Sequence, residues 1–456
     1  MKPWLSWIGI MALGIVQTAQ AEKLDLRQCI AQALAQNPSL MASASRIEQA
    51  QAAIDRSKSS YLPKISTSIT ASRSNDPLNV FGMKLMQQNA SFNDFGAADF
   101  LQNQNPAQKP DNLNKPGDYS NINTRIQAEM PIYTGGQIDA YVRQAQGFLA
   151  AAQAGDVAAR QQLMFMVFQA YEGVNTAGAF VEVAEQGVKA AQSFVKTAEN
   201  LTNQGVMVKS ELLTAKVHLA NVEVQRAQAQ NQQAVALEQL KVLMGMALDT
   251  PLTLAQGRAI ADIAVDVTSA KQRALANNPQ LRALRMQTES SGAAVDAAKS
   301  AYLPTVGVMA RQDWNDTSVA LNHSSYTIAG VMNWTITDFG ATRASVDMAR
   351  SSQAELAAQL RQQEQELSFK VSEAYKKMTE AKQRAQSLAI NVEQADEAQR
   401  LVRQRHEGGV ATITEVLVSE TQLLKAKADL ISARHEVSTQ SALVRLLMGE
   451  LEETLF

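Results

Sequence analysis

Ala33-Leu34-Ala35-Gln36-Asn37-Pro38 is answered 241 residues later by Ala274-Leu275-Ala276-Asn277-Asn278-Pro279, and the reading of this pair decides the fold. The same offset holds downstream, where Asp55, Lys58, Ser59, Tyr61, Leu62 and Pro63 match Asp296, Lys299, Ser300, Tyr302, Leu303 and Pro304. Beyond an unequal insertion the offset falls to 204. Ile132 and Gly136 then pair with Ile336 and Gly340, Gly205-Val206 with Gly409-Val410, and Leu243-Met244-Gly245 with Leu447-Met448-Gly449. Similarity that keeps register this far marks an internal duplication. The chain is two repeats, 22–250 and 251–456, and the first carries 37 extra residues (241 less 204) between its Tyr-Leu-Pro and its Gly.

Proline removes a helical hydrogen bond and clashes with the preceding turn. None lies between 132 and 250 or between 305 and 456, and both stretches are rich in Ala, Gln, Glu, Lys, Leu and Arg, which lose least on entering a helix. Gly205 and Gly408-Gly409 interrupt them, each flanked by apolar residues three and four apart, so each stretch is expected to be an antiparallel hairpin turning near 205 or 409. Residues 137 to 203 would form a rod ~100 Å long. Such a rod has to pack sideways, and shorter helices at about 25–59 and 266–300 supply further surfaces.

Between Tyr61 and Pro131, and again between Tyr302 and Thr337, the period shortens to two. Ile122, Thr124, Ile126, Ala128 and Met130 alternate with Asn123, Arg125, Gln127 and Glu129. Ile65, Thr67, Ile69 and Ala71 alternate likewise with Lys64, Ser66, Ser68 and Thr70. Strands are expected at about 61–74 and 119–133 in the first repeat and at 302–312 and 326–337 in the second. Their length suits a tilted membrane strand, and it also suits an ordinary half-buried sheet. Four strands cannot close a barrel, and open edges are not tolerated in hydrocarbon, so a membrane reading requires several chains to share one. The connection from Asn75 to Asp118, rich in Asn, Gln, Asp and Pro with Phe81, Phe92, Phe95 and Phe100, reads as a surface loop on the outer side.

At the N-terminus, Lys2 precedes an apolar run from Trp4 to Val16 and an Ala19-Gln20-Ala21 cleavage site, so residues 1–21 read as an export signal. No later window is apolar for long enough to cross a bilayer as a helix. Cys29 is the sole cysteine, which excludes an intrachain disulfide and a Cys-rich metal site. A net charge of −2 without clustered basic residues argues against nucleic acid as a partner.

Catalytic signatures are missing. There is no phosphate-cradling Gly-rich loop followed by Lys-Ser/Thr, no G-x-S-x-G and no H-E-x-x-H, and His218, His323, His406 and His435 have no metal-ligand spacing. Neither a catalytic residue nor a cofactor is expected.

The order helix, strand, strand, long hairpin, given twice, with Asn-Pro near the start and Tyr-Leu-Pro at the passage from helix to strand, resembles the TolC-type outer-membrane efflux protein family over essentially the whole mature chain. The resemblance implies an α+β membrane protein: a homotrimer whose four strands per chain make a twelve-stranded barrel in outer-membrane lipid, continued by an antiparallel coiled-coil tunnel into the periplasm. It implies a conduit of an efflux or type I secretion system, working with a periplasmic adaptor and an inner-membrane pump of the RND, ABC or MFS class. Gly205-Val206 and Gly409-Val410 match the family's adaptor-docking tips. Glu211 and Glu415 stand where the family places aperture carboxylates, with His406 where it has a tyrosine, Ala411 where it has an arginine and Val418 where it has a second acid. A periplasmic coiled-coil adaptor or scaffold is the alternative; it accounts for the hairpins but not for two matched strand pairs.

Overall fold

The computed structural model describes residues 23–255, 263 and 265–453. The expected export signal lies outside them. The described residues are mostly helical, with one four-stranded sheet and one two-stranded contact among them. A short strand β1 (Lys23–Leu24) leads into α1 (Leu26–Gln36) and α2 (Pro38–Ser59), followed by β2 (Lys64–Ser74). Three short helices, α3 (Pro77–Met86), α4 (Ala97–Asn103) and α5 (Asp111–Asn114), precede β3 (Tyr119–Tyr133), α6 (Gln137–Asn203) and α7 (Lys209–Leu243). The second repeat supplies β4 (Thr253–Leu254), α8 (Val267–Asn277), α9 (Pro279–Lys299), β5 (Thr305–Asp316), β6 (Ser324–Asn333), α10 (Ala341–Glu407) and α11 (Ile413–Met448). Among the described residues no helix is long and apolar enough to cross a membrane.

Each first helix expected from the sequence is two helices. Asn37 ends α1 and Asn278 ends α8 with extended or near-extended backbone, as the residue before a proline favours, and Pro38 and Pro279 then open α2 and α9.

The structure divides into two compact units, one of residues up to 44, 154–282 and 362 onward, the other of residues 45–153 and 283–361. In the first, Leu26, Cys29, Ile30 and Ala33 of α1 are buried with Leu163, Val167, Phe168 and Tyr171 of α6 and with Leu240 and Met244. Tyr171 closes this core by donating its hydroxyl to the Ala255 carbonyl at 2.6 Å. Burial pushes the Cys29 thiol up to about 12, so it stays protonated and unreactive.

The second unit holds the sheet, ordered β2-β3-β5-β6 and antiparallel throughout. Its registry puts unlike chemistry on the two faces. Ile65, Ile69, Ile126, Met130, Tyr326, Ile328 and Met332 share one face and are exposed. The other face carries a polar network. Asn121 donates to Asn315 at 3.0 Å, Asn123 donates to Asp313 and Asn315 at 3.1 Å each, and the Arg125 guanidinium donates to Asp313 at 2.7 Å. The 75–118 connection is a folded helical segment rather than an open loop, because Val80 and Met83 of α3 are buried and Phe81 meets Phe95 edge to face at 4.8 Å.

Candidate functional site

The residues singled out at the hairpin turns all belong to the first unit. α6 stops because Gly205 adopts φ +74°, a left-handed conformation that suits glycine, and the Val206 N–H then donates back to the Leu201 carbonyl at 2.9 Å. The second turn repeats this bond for bond. Gly409 has φ +74°, and the Val410 N–H donates to the Arg405 carbonyl at 2.8 Å. Both turns leave their valine bare, Val206 at 74% and Val410 at 71% exposure. An apolar side chain presented at each of two matching tips is a feature that a plain solvent turn does not require.

The two acids differ in what holds them. Glu415 belongs to a capping box: Thr412 Oγ1 accepts from the Glu415 N–H at 3.3 Å, and the Glu415 carboxylate accepts from the Thr412 N–H at 3.3 Å. Its other oxygen lies 3.8 Å from the Arg405 guanidinium. At the equivalent position in the first repeat stands Val208, which has no side-chain oxygen to cap α7. Among the described residues the Glu211 carboxylate has neither hydrogen bond nor ion pair, and Glu211 is only half-buried. Of the pair, Glu211 is the one whose carboxylate no neighbouring side chain engages among the described residues.

His406 is tied to the turn. Its Nδ1 lies 2.9 Å from the Ala411 carbonyl, an acceptor, so Nδ1–H is the donor of that bond. It ends a seam of α10 residues spaced alternately four and three apart: Leu367, Val371, Ala374, Met378, Ala381, Ala385, Leu388, Val392, Ala395, Gln399, Val402 and His406. This is coiled-coil spacing, and every one of its members is buried or half-buried.

One polar cluster escaped the sequence reading. Glu420 of α11 is 6% exposed and accepts from the Gln399 side chain at 2.7 Å, with the Arg403 guanidinium at 3.7 Å. Arg403 also lies 5.7 Å from the centre of the Phe194 ring on α6. The signal was present: Ile413, Val416, Leu417, Glu420 and Leu423 follow helical core spacing, with an acid in an apolar stripe. A groove of about 530 Å³ nearby is lined by Phe180, His218, Asn221, Thr421, Leu424 and Lys425. His218 turns a buried Nε2 toward its surroundings without a partner, and burial holds its imidazole below the usual range although the Glu420 charge pulls the other way.

Among the described residues no group of His, Cys, Asp and Glu could hold a metal ion. The tips therefore present apolar contacts and carboxylates, and the sheet presents an apolar face, a polar face and two unpaired edges, at β2 and β6.

Comparison with known proteins agrees with this geometry. No curated protein matches the sequence. Among solved structures, the outer membrane protein VceC of Vibrio cholerae shares 18% identity at a TM-score of 0.74, covering 93% of this chain and 96% of its own. The MtrE outer membrane channel of Neisseria gonorrhoeae, in its open state, shares 18% at 0.73, covering 94% and 90%. The CmeC outer membrane channel of Campylobacter jejuni shares 15% at 0.77, covering 94% and 86%. The profile of the outer membrane efflux protein family matches residues 29–246 and 270–450, one match per repeat, so the chain belongs to the outer membrane efflux protein family and is a transport channel of the outer membrane rather than an enzyme.

Proposed function

We infer that three copies of this chain close one twelve-stranded barrel in the outer membrane and that their hairpins continue it as a periplasmic tunnel. Substrates delivered by an inner-membrane pump through an adaptor pass along it without catalysis. The observation that carries this reading is the sheet. Its exposed face bears Ile65, Ile69, Tyr326 and Ile328, its opposite face bears Asn123, Arg125 and Asp313, and both edge strands are unpaired. Unpaired edges in hydrocarbon each leave a row of backbone groups without partners, and only edge-to-edge closure with further copies removes them. Four strands from each of three copies give the number that the family resemblance implies.

In the same reading the tips are the adaptor end. Val206 and Val410 are the contacts that a partner's helical tip would cover beside Gly205 and Gly409. Threefold symmetry would turn Glu211 into a ring of carboxylates at the aperture, with Glu415 and His406 behind it as parts of the turn. Such a ring concentrates cations.

The test is extraction and conductance. Detergent-dependent, heat-resistant oligomers that give cation-selective currents in a planar bilayer support the conduit. A monomer that stays in solution without detergent and passes no current ends the reading.

A further inference from the structure

We propose that residues 77–118 form a lid seated inside the outer mouth of the barrel, where the lids of three copies meet around the channel axis. The proposal rests on the channel reading above and adds a second constriction, at the end away from the hairpin tips.

The placement follows from which face of the sheet the segment touches. Gln87, just past α3, is fully buried, and its amide nitrogen donates to the Ser120 carbonyl and to the Asn121 side chain at 2.9 Å each. Its oxygen accepts from the Tyr119 hydroxyl at 2.8 Å. Lys84 lies 5.7 Å from the centre of the Tyr119 ring and pairs with Asp94, which ties the next turn to α3. Asn121 belongs to the polar network with Asn123, Arg125, Asp313 and Asn315. In a barrel that network has to face water, because charged and amide groups on the lipid side have no partners. A segment pinned to Asn121 is therefore inside the wall. Tyr119 begins β3, whereas Tyr133 at its other end leads to α6, so the contact is at the end of the sheet away from the helices.

The segment is built to hold a shape. Gly96 takes φ +87° with Pro110 packed where a side chain would stand, and Phe81 and Phe95 hold α3 against the turn beyond it. Large apolar side chains stay uncovered on it: Leu78, Phe92 and Leu101 are 80%, 86% and 76% exposed. In a shared barrel each lid projects from the inner wall toward the axis, and the surface that meets these side chains is the same segment of the other two copies. Bare phenylalanine and leucine in a watery lumen favour that association.

The test reads access from outside, so that it does not depend on whether the periplasmic aperture is open. Gln127→Cys places a thiol on the polar face below the lid, while the native Cys29 is buried and silent. On intact cells a small impermeant maleimide should label it readily and a polymer-bearing maleimide slowly. Replacing 77–117 by a short turn, or unpinning the lid with Gln87→Ala and Tyr119→Phe, should raise the slow rate several-fold. Equal rates for both reagents in the unaltered background would overturn the lid. Leu78, Phe92 and Leu101, changed singly to Cys and oxidised, should give a disulfide-linked pair within the oligomer at one position or more; none at any position overturns the meeting of lids. Ile126→Cys, on the lipid-facing side, separates the two readings: if the small reagent labels it as fast as Gln127→Cys, the barrel itself is wrong.

Discussion

Asn37 holds Leu243 from the far side of the first repeat, its side-chain amide donating to the Leu243 carbonyl at 2.8 Å, and Asn278 holds Leu447 in the same way at 3.0 Å. The two motifs that revealed the duplication, Asn-Pro and Leu-Met-Gly, are thus the two sides of one contact, made once per repeat. The glycine of each second motif sits against the first. A side-chain carbon at Gly449 would come within 2.6 Å of the Asn277 carbonyl oxygen, and one at Gly245 within 3.0 Å of the Gln36 carbonyl oxygen.

Alanine at either glycine should therefore destabilise the helical unit, and Gly449→Ala more than Gly245→Ala. The left-handed backbone alone costs about 1–2 kcal/mol for a residue with a Cβ, and the backbone clash at Gly449 adds to it. Thermal melts of the oligomer followed by circular dichroism check the order. Equal melting temperatures for the two variants would contradict the close approach.

Glu211→Gln should lower cation selectivity more than Glu415→Gln. The Arg405 guanidinium 3.8 Å away already offsets part of the Glu415 charge, and the Glu415→Gln variant can keep the capping box because a glutamine side chain also accepts from the Thr412 N–H. Reversal potentials under a salt gradient measure this. Val208→Thr offers an independent arm: a hydroxyl there can build in α7 the box that α11 has, stabilising the helix start by about 1 kcal/mol and drawing the Glu211 charge into it.

How much of this was legible depended on distance along the chain. The hairpin turns and strand faces are written in local patterns, such as the glycine at Gly205 and the alternation from Ile122 to Met130. The acids were legible only as a matched pair, because the difference between them lies in Val208 against Thr412, three residues away, where the repeat does not match. The bond from Asn37 to Leu243 was not legible, since a repeated motif records that a residue is kept without saying what it touches. The lid was hidden for another reason: its composition is that of a loop, and only the burial of Gln87 against Asn121 shows which face of the sheet it packs on.

Gln399→Leu should destabilise more than a surface substitution on α10. It removes the 2.7 Å bond to Glu420 and leaves a buried carboxylate with only the longer Arg403 contact. A buried polar group left short of partners costs about 1–3 kcal/mol, more when charged. The double variant Gln399→Leu, Glu420→Leu should recover much of the loss, because it removes both polar groups from the seam. A melting series over the wild type, the two single variants and the double variant decides; strict additivity would mean the two residues do not act together.

A lysine on the sheet tests its two faces. Ile328→Lys puts a charge on the apolar face, where the cost at mid-bilayer is about 2–4 kcal/mol, and should reduce heat-resistant oligomer in the outer membrane. Ser325→Lys, directly opposite Asp313 in the register, should assemble normally. Immunoblots of membrane fractions distinguish them. Equal assembly of both variants would mean that the two faces meet similar surroundings.

Acid should weaken the helical unit in a window set by histidine. Burial holds His218 and His435 below the usual imidazole range, against weaker upward pulls from Glu420 and Glu436 respectively. A depressed folded pKa means that the unfolded chain binds its protons first, at about pH 6.5. The stabilisation is therefore complete above that pH and is lost as pH falls through the folded values. Asp266 and Asp338, whose carboxylates accept from Ser269 and Thr342, are held below the ordinary carboxylate range of about 3.9 and so act only in stronger acid. Melting temperature should start to fall as pH drops below about 6.5 and stop falling on account of these residues once pH has passed below their folded values. His435 also places its Nδ1 3.1 Å from the Thr176 hydroxyl, a bond that glutamine can replace. The double variant His218→Gln, His435→Gln should melt at nearly the same temperature across that window; an unchanged pH slope in the variant would place the acid sensitivity elsewhere.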